Sequence, residues 1–199
     1  EMERLLDLTF DCTDEMGSPT QKHLILEIMG RNSNLILTSE DGRIVDCLRR
    51  VDFEMSEQRQ VLPGLYYHLP PTQGKLDPFS TPRETLQALL CAQTAPKLLD
   101  KWLLDTFGGF SPLVCRELAF RAAGDLDTDL SQLPEEEKAA LADRLADEIS
   151  ALQTDALPPV LLYKEERPWD FTCLQVRQYG DFVRAEQMDS FSALLDRFY

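Results

Sequence analysis

The chain has 199 residues and a formal net charge of −15, with 43% apolar and 28% charged residues, the balance of an ordinary soluble globular protein. At that length it can bury one good core or two small ones. The negative charge argues against a free-standing nucleic-acid binder, because phosphate affinity comes from Lys and Arg that release counterions, but it leaves room for a local basic patch. No apolar run approaches the roughly 20 residues that span a bilayer, and no secretory signal is visible. The cysteines Cys12, Cys47, Cys91, Cys115 and Cys173 are odd in number and scattered, with no CxxC. That pattern fits reduced thiols in the cytoplasm. The histidines are His23 and His68, and they show no zinc-ligand spacing.

Residue 1 is Glu and a strand-like run starts almost at once, as in a piece of a longer chain. Residues 4–12, "RLLDLTFDC", alternate so that Leu6, Leu8, Phe10 and Cys12 face one way, the pattern of a half-buried strand. "DEMGSPT" is a loop. "HLILEIM" alternates again, with Leu24, Leu26 and Ile28 on one face. Gly30-Arg31-Asn32-Ser33-Asn34 then separates it from "LILTS". Asp41-Gly42 marks a tight turn, followed by "RIVDCLRRV" as a strand or a strand running into a helical turn. Residues 4–51 therefore read as an antiparallel meander whose open edge expects partner strands. Residues 59–75 are proline-rich and irregular, with a type II turn expected at Pro63-Gly64.

Helices come next. "STPRETLQALLCAQ" offers Ser80 or Thr81 as a cap and Leu86, Leu89 and Leu90 as an apolar stripe. "APKLLDKWLLDTF" places Leu98, Trp102 and Leu103 on one face. "GGFSPLVCRELAFRAAG" opens on Ser111 as N-cap with Pro112 behind it and closes at Gly124. "PEEEKAALADRLADEISALQ" repeats Leu141, Leu145, Ile149 and Leu152 at helical spacing. After Pro158-Pro159, "VLLYK", "FTCLQV" and "DFVRAE" read as strands, and "DSFSALLDRFY" as a final amphipathic helix. The expected class is α+β. The expected division is 1–75 for the sheet region, 76–157 for the helices and 158–199 for the returning strands and last helix.

Three places could carry chemistry. The tip Gly30–Asn34 can offer several backbone N–H groups and one guanidinium to an anion; a plain polar hairpin tip with Gly30 at positive φ fits the same residues. The two helices joined through Gly108-Gly109 resemble a helix-hairpin-helix, whose second N-terminus can bind phosphate, although the acidic neighbours Asp105, Glu117 and Asp125 favour an ordinary αα-hairpin. The arginines Arg31, Arg43, Arg49, Arg50 and Arg59 are interleaved with acids and fit a solvated sheet face. There is no GxSxG, Walker loop, HExxH or GxGxxG. No catalytic residue, metal site or cofactor is expected.

"EIMGRNSNLIL", "DGRIVDCLRRV" and "RQVLPGLYYHLPP", in that order, resemble three consecutive signatures of the NFACT N-terminal domain family, which includes the bacterial fibronectin-binding protein A-like proteins. "FSPLVCRELAFRAAG" is similar to the family's helix-hairpin-helix insert, and "DSFSALLDRFY" to the run that leads into its coiled coil. The resemblance implies a β domain akin to the N-domain of formamidopyrimidine-DNA glycosylases, incomplete here, then a helical helix-hairpin-helix unit and a returning C-terminal β segment plus helix. It implies that the start of the domain, the coiled coil and a basic C-terminal RNA-binding module lie outside these residues. It also implies a cytoplasmic, ribosome-associated quality-control factor. Its partners would be tRNA and a large ribosomal subunit with a stalled nascent chain, to which C-terminal alanine is added without a template; no membrane is involved. The peptide-bond chemistry would be the ribosome's.

Residue by residue, the family's tRNA-binding Asp-Arg pair falls on Glu3 and Arg4: Arg4 matches, and Glu3 is one methylene longer. Gly30, Arg31, Ser33 and Asn34 match the tip motif, with Asn32 where histidine is common, and Arg59, Pro63, Gly64 and Tyr67 match the next segment. The candidate phosphate or RNA contacts are therefore Gly30, Arg31, Ser33, Asn34 and Arg59. Rival expectations are a surface adhesin that binds fibronectin, a scaffold that has lost tailing, and a DNA glycosylase. The last would need a catalytic N-terminus and usually a zinc finger, neither of which these residues contain.

Overall fold

The computed structural model describes residues 5–71, 74–154 and 157–199. The class is α+β, as expected, and the chain divides into two compact units, Met2–Gly74 and Lys75–Tyr199. The helices and the returning strands share the second unit.

In the first unit, β1 (Leu5–Thr13), β2 (Pro19–Glu27), β3 (Asn34–Ser39) and β4 (Ile44–Cys47) form an antiparallel sheet in sequence order. The β1–β2 loop is held by the Asp14 carboxylate, which accepts from the amides of Met16 and Ser18. Gly42, at φ 82°, closes the β3–β4 turn, and the Ser39 amide donates to the Arg43 carbonyl. Val51 and Val61 then bridge to each other, so the irregular segment folds back over one face of the sheet. On that face Ile25, Ile36, Ile44 and Val61 form a small core, backed by Leu5, Val51 and Tyr67. The turn at Pro63-Gly64 forms as expected, with the Leu65 amide donating to the Leu62 carbonyl and Gly64 at φ 90°.

One expectation reverses here. Leu6, Leu8 and Phe10 do share a face, but they are 49%, 39% and 49% exposed, not half-buried against a core. Leu6 and Leu8 pair across to Leu26 and Leu24 on the side away from Ile25 and Ile36. Both faces of β2 and β3 are apolar, so alternation alone could not say which face this unit covers. Ile28 also lies beyond the end of β2 and is exposed.

In the second unit, α1 (Arg83–Ala92), α2 (Leu99–Thr106), α3 (Pro112–Ala123) and α4 (Glu135–Thr154) pack around Leu90, Leu103, Leu118, Leu141 and Leu145. α3 is capped as expected: the Ser111 hydroxyl accepts from the Val114 amide, and Gly124 ends the helix at φ 77°. α1 is not. Pro82 holds its N-cap position, and the Thr81 hydroxyl donates to the Asp77 carbonyl instead. Cations close three helix C-termini, where the last carbonyls lack intrahelical partners. Lys138 donates to Gln93 O at 2.6 Å, Lys75 to Leu104 O at 2.8 Å and Arg144 to Ala122 O at 2.6 Å.

β5 (Val160–Lys164) is the central strand of a second antiparallel sheet, between β6 (Arg167–Thr172) and β7 (Arg184–Gln187), and α5 (Phe191–Phe198) follows. β5 is buried on both faces, which explains its unbroken "VLLY". β6 starts four residues before the expected "FTCLQV". Glu165 and Glu166 both adopt positive φ, 51° and 61°, and form a two-residue hairpin turn without the usual Asn or Gly. Residues 175–178 are drawn off the strand by Glu117 of α3. That carboxylate is fully buried and accepts from the Arg177 and Gln178 amides and from Arg121 Nε at 2.7 Å. Among the described residues, no helix is long and apolar enough to cross a membrane.

Candidate anion-binding tip and cleft

The sequence-selected residues at 30–34 separate into a presented part and a clamp. Gly30 takes φ 57° and opens a single 3-10 turn, Gly30–Asn32. The Asn32 and Ser33 amides close the turn on the Met29 and Gly30 carbonyls, and the Ser33 hydroxyl accepts from the Met29 amide. The amides of Gly30 and Arg31 are left as the tip's remaining donors. Arg31 is exposed, and among the described residues no carboxylate pairs with it.

Asn34 faces inward. Its Nδ2 donates to Arg49 O at 2.8 Å, and its Oδ1 accepts from the Arg49 amide at 2.9 Å and the Leu35 amide at 3.0 Å. A side-chain amide thus extends the sheet ladder to residue 49. The Arg49 guanidinium in turn donates to the Arg31 carbonyl and reaches Asn32 Oδ1 at 3.5 Å. The spacing of the tip carried no sign of this cross-brace.

Arg59 sits on the floor of the adjoining cleft. Its Nη1 and Nη2 grip Glu27 at 3.1 and 2.5 Å, and Nε donates to His68 O at 2.6 Å. The Tyr67 hydroxyl donates to the same carboxylate at 2.9 Å, while the guanidinium lies over the Tyr67 ring at 5.2 Å. Burial, and then the Glu27 carboxylate it donates to, push the Tyr67 hydroxyl's pKa well up. The Arg59 fork is therefore closed on Glu27, whose side chain is 2% exposed. Sequence reasoning passed over Glu27. The available signal was a carboxylate on the Ile25 face of an apolar strand, which burial tolerates only with a partner.

The cleft has a volume of about 470 Å³ and lies wholly within the first unit, between the tip, residues 49–61 and Pro70-Pro71. Glu27, Arg49 and Arg59 are its charged lining residues. Because Glu27 and Arg59 neutralise each other, Arg49 sets its charge. Among the described residues, the other arginines of this unit are engaged locally: Arg43 stacks on Tyr66, and Arg50 reaches Asp46 at 3.8 Å. Glu3 and Arg4 lie outside the described residues.

The helix junction offers less. Phe107 and Phe110 are buried, the Gly108 amide donates to Leu76 O, and Ser111 caps α3. That is an αα-hairpin organised by its core. Among the described residues, no group of three or more His, Cys, Asp or Glu is placed to hold a metal ion.

Comparison with known proteins bears on the whole chain. The chain is 31% identical over 199 residues to the Rqc2 homolog RqcH of Bacillus subtilis, of which it spans 32%. It is 34% identical over 118 residues to the Rqc2 homolog RqcH of Streptococcus suis, covering 59% of this chain and 21% of that protein. Its structure resembles the crystal structure of the fibrinogen binding protein from Staphylococcus aureus, with a TM-score of 0.75 and 29% identity over 99% of this chain and 66% of that one. It also resembles the N-terminal part of the fibronectin/fibrinogen-binding protein from Streptococcus suis, with a TM-score of 0.70 and 28% identity over 98% of this chain and 63% of that one. Residues 1–199 match the family described as NFACT N-terminal and middle domains, and the chain belongs to that family.

Proposed function

We propose that this chain is the RNA-gripping part of a ribosome-associated quality-control factor that works in the cytoplasm. It recruits tRNA to a large ribosomal subunit carrying a stalled nascent chain, so that C-terminal alanine is added without a template. The factor positions and the ribosome makes the bond, so the chain needs no nucleophile or general base of its own. The similarity to the Rqc2 homolog RqcH along all 199 residues is the observation that carries this reading. Arg31, held out on a Gly30 turn without a carboxylate partner among the described residues, supports it physically: a preorganised guanidinium beside free amides suits a phosphate. We assign Glu3 and Arg4 to the tRNA contact and Gly30, Arg31 and Ser33 to the phosphate contact. Asn34 acts as the brace that holds the tip, and Arg59 as the floor beside it.

The test is RNA that co-purifies with the intact protein from cells. Enrichment of particular tRNAs together with large-subunit RNA is expected. Arg4→Ala is expected to abolish tailing, and Arg31→Ala to weaken tRNA recovery and flatten its salt dependence. Recovery of no tRNA above background refutes the reading. The names of the two similar structures favour one other reading, adhesion to fibronectin or fibrinogen. A pool of protein exclusively at the cell surface, with none on ribosomes, would establish it instead.

A further inference from the structure

We propose that the outer end of the second sheet docks a proline-rich, acidic segment of a partner protein, laid in polyproline II form against Trp169 and Tyr179 with its carboxylates toward Lys164 and Arg167. The surface lies wholly within the second unit and does not depend on the tip at residues 30–34. On this face of β5, Val160 and Leu162 are covered by Leu113, Val176, Tyr179 and Val183. The next residue on the same face is Lys164, which is exposed. A bulge in β6 falls at this boundary: Leu162 pairs with Asp170 and Tyr163 with Pro168, so Trp169 has no partner on β5. A bulged residue is re-aimed relative to its neighbours. Trp169 stands at the margin of the cover, 43% exposed. Its ring is 5.4 Å from that of Tyr179 and nearly perpendicular to it, at 77°.

Two features select a polyproline segment over other occupants. β6 is an edge strand, but Pro168 lacks an amide to offer a further strand, which disfavours strand addition. The Lys164 ammonium lies over the Trp169 ring, 5.9 Å from its centroid, so a stacked base would compete with it for the indole face. A prolyl ring fits the angle between two perpendicular aromatic rings, and proline-rich chains dock on aromatic-lined surfaces with little entropy left to lose.

Charge selects the acidic flanks. Lys164 and Arg167 are directly opposed across the hairpin. Arg116, beside Tyr179, donates to Gln178 Oε1 at 3.3 Å. Among the described residues, no carboxylate pairs with any of these three cations. Of the nearby acids, Asp170 accepts from the Phe171 amide at 2.8 Å, Glu166 reaches Arg184 at 3.7 Å, and Glu165 sits in the hairpin turn. In a chain of net charge −15, an aromatic pair flanked by unpaired cations complements a partner of the opposite charge.

The test uses the 199-residue chain and a fluorescein-labelled short peptide of Pro-Pro-Glu repeats. Matched peptides replace every Pro by Ala, or every Glu by Lys. Anisotropy is expected to show binding of the first peptide, weakened by salt, and about tenfold less binding of either control. Trp169→Ala is expected to lose binding to the same degree. The charge reversal Lys164→Glu with Arg167→Glu is expected to reject the acidic peptide and accept the lysine one. The indole N–H resonance of Trp169 is expected to shift on binding, while that of Trp102, 4% exposed, stays in place in wild type and in both variants and reports that the fold is intact.

Equal binding of the proline and alanine peptides overturns the proposal, because charge alone would then explain it. So does a Trp169 resonance that no peptide moves. A shift of Trp169 with short oligoadenylate RNA but with no peptide would assign the surface to nucleic acid and overturn it as well. None of these outcomes bears on the tRNA reading, which rests on other residues.

Discussion

Removing Glu27 should destabilise the first unit about as much as removing one or two of its core residues. Its side chain is 2% exposed and its carboxylate serves Arg59 and Tyr67 together. In Glu27→Ala the guanidinium stays where it is, its side chain 13% exposed, now without a counter-charge. Leaving a buried charge unpaired typically costs about 3–5 kcal/mol. The unit's buried apolar core is Ile25, Ile36, Ile44 and Val61, and each contributes about 1.5–3 kcal/mol by burial. The loss is therefore comparable with deleting one or two of them.

The double variant Glu27→Leu with Arg59→Met removes both charges and keeps the volume, so it should recover most of the loss. Trp102 and Trp169 both lie in Lys75–Tyr199, so tryptophan fluorescence does not report on this unit directly. Amide hydrogen exchange along β2 and β3 in increasing urea is the appropriate readout. A loss below about 1 kcal/mol for Glu27→Ala, or a double variant as damaged as the two singles summed, would refute the argument.

Glu165 and Glu166 occupy a turn that favours Asn followed by Gly, so the double variant Glu165→Asn with Glu166→Gly should stabilise the second unit by about 1–2 kcal/mol, read as a raised Tm. Glu117→Ala strands two loop amides while Arg121 keeps Glu148; it should cost about 1–3 kcal/mol and release residues 175–178 to rapid exchange. The Ser39 hydroxyl, and then the Arg43 amide, hold the Asp41 carboxyl below the usual carboxylate range. That contribution is present above the ordinary carboxylate pKa, about 4, and is lost as pH falls through the depressed value. Protection of the 39–43 turn amides, corrected for intrinsic exchange, should therefore fall in acid, and Asp41→Asn should flatten the profile. Burial pushes the Cys115 thiol up to about 12, so native-state alkylation near neutral pH should label Cys115 last of the five cysteines, and urea should abolish the difference.

Much of the fold was legible in the order of the residues. The 3.6-residue spacing of Leu141, Leu145, Ile149 and Leu152 required α4, and Ser111, Pro112 and Gly124 set both ends of α3. The positive φ of Gly30, Gly42 and Gly64 was implicit in their turns, because glycine alone enters that region without steric cost. These are local interactions, and the residues that make them are neighbours in the chain. Which partner each polar group meets was settled by long-range packing. Asn34 looked like part of a binding tip and is a buried brace on Arg49. Arg59 looked available and closes on Glu27, 32 residues earlier in the chain. The strand expected at "FTCLQV" moved because Glu117, on a distant helix, captures the amides of 177 and 178. In each case the desolvation cost of a buried polar group is relieved only by a partner that folding brings alongside, and no local spacing encodes that partner.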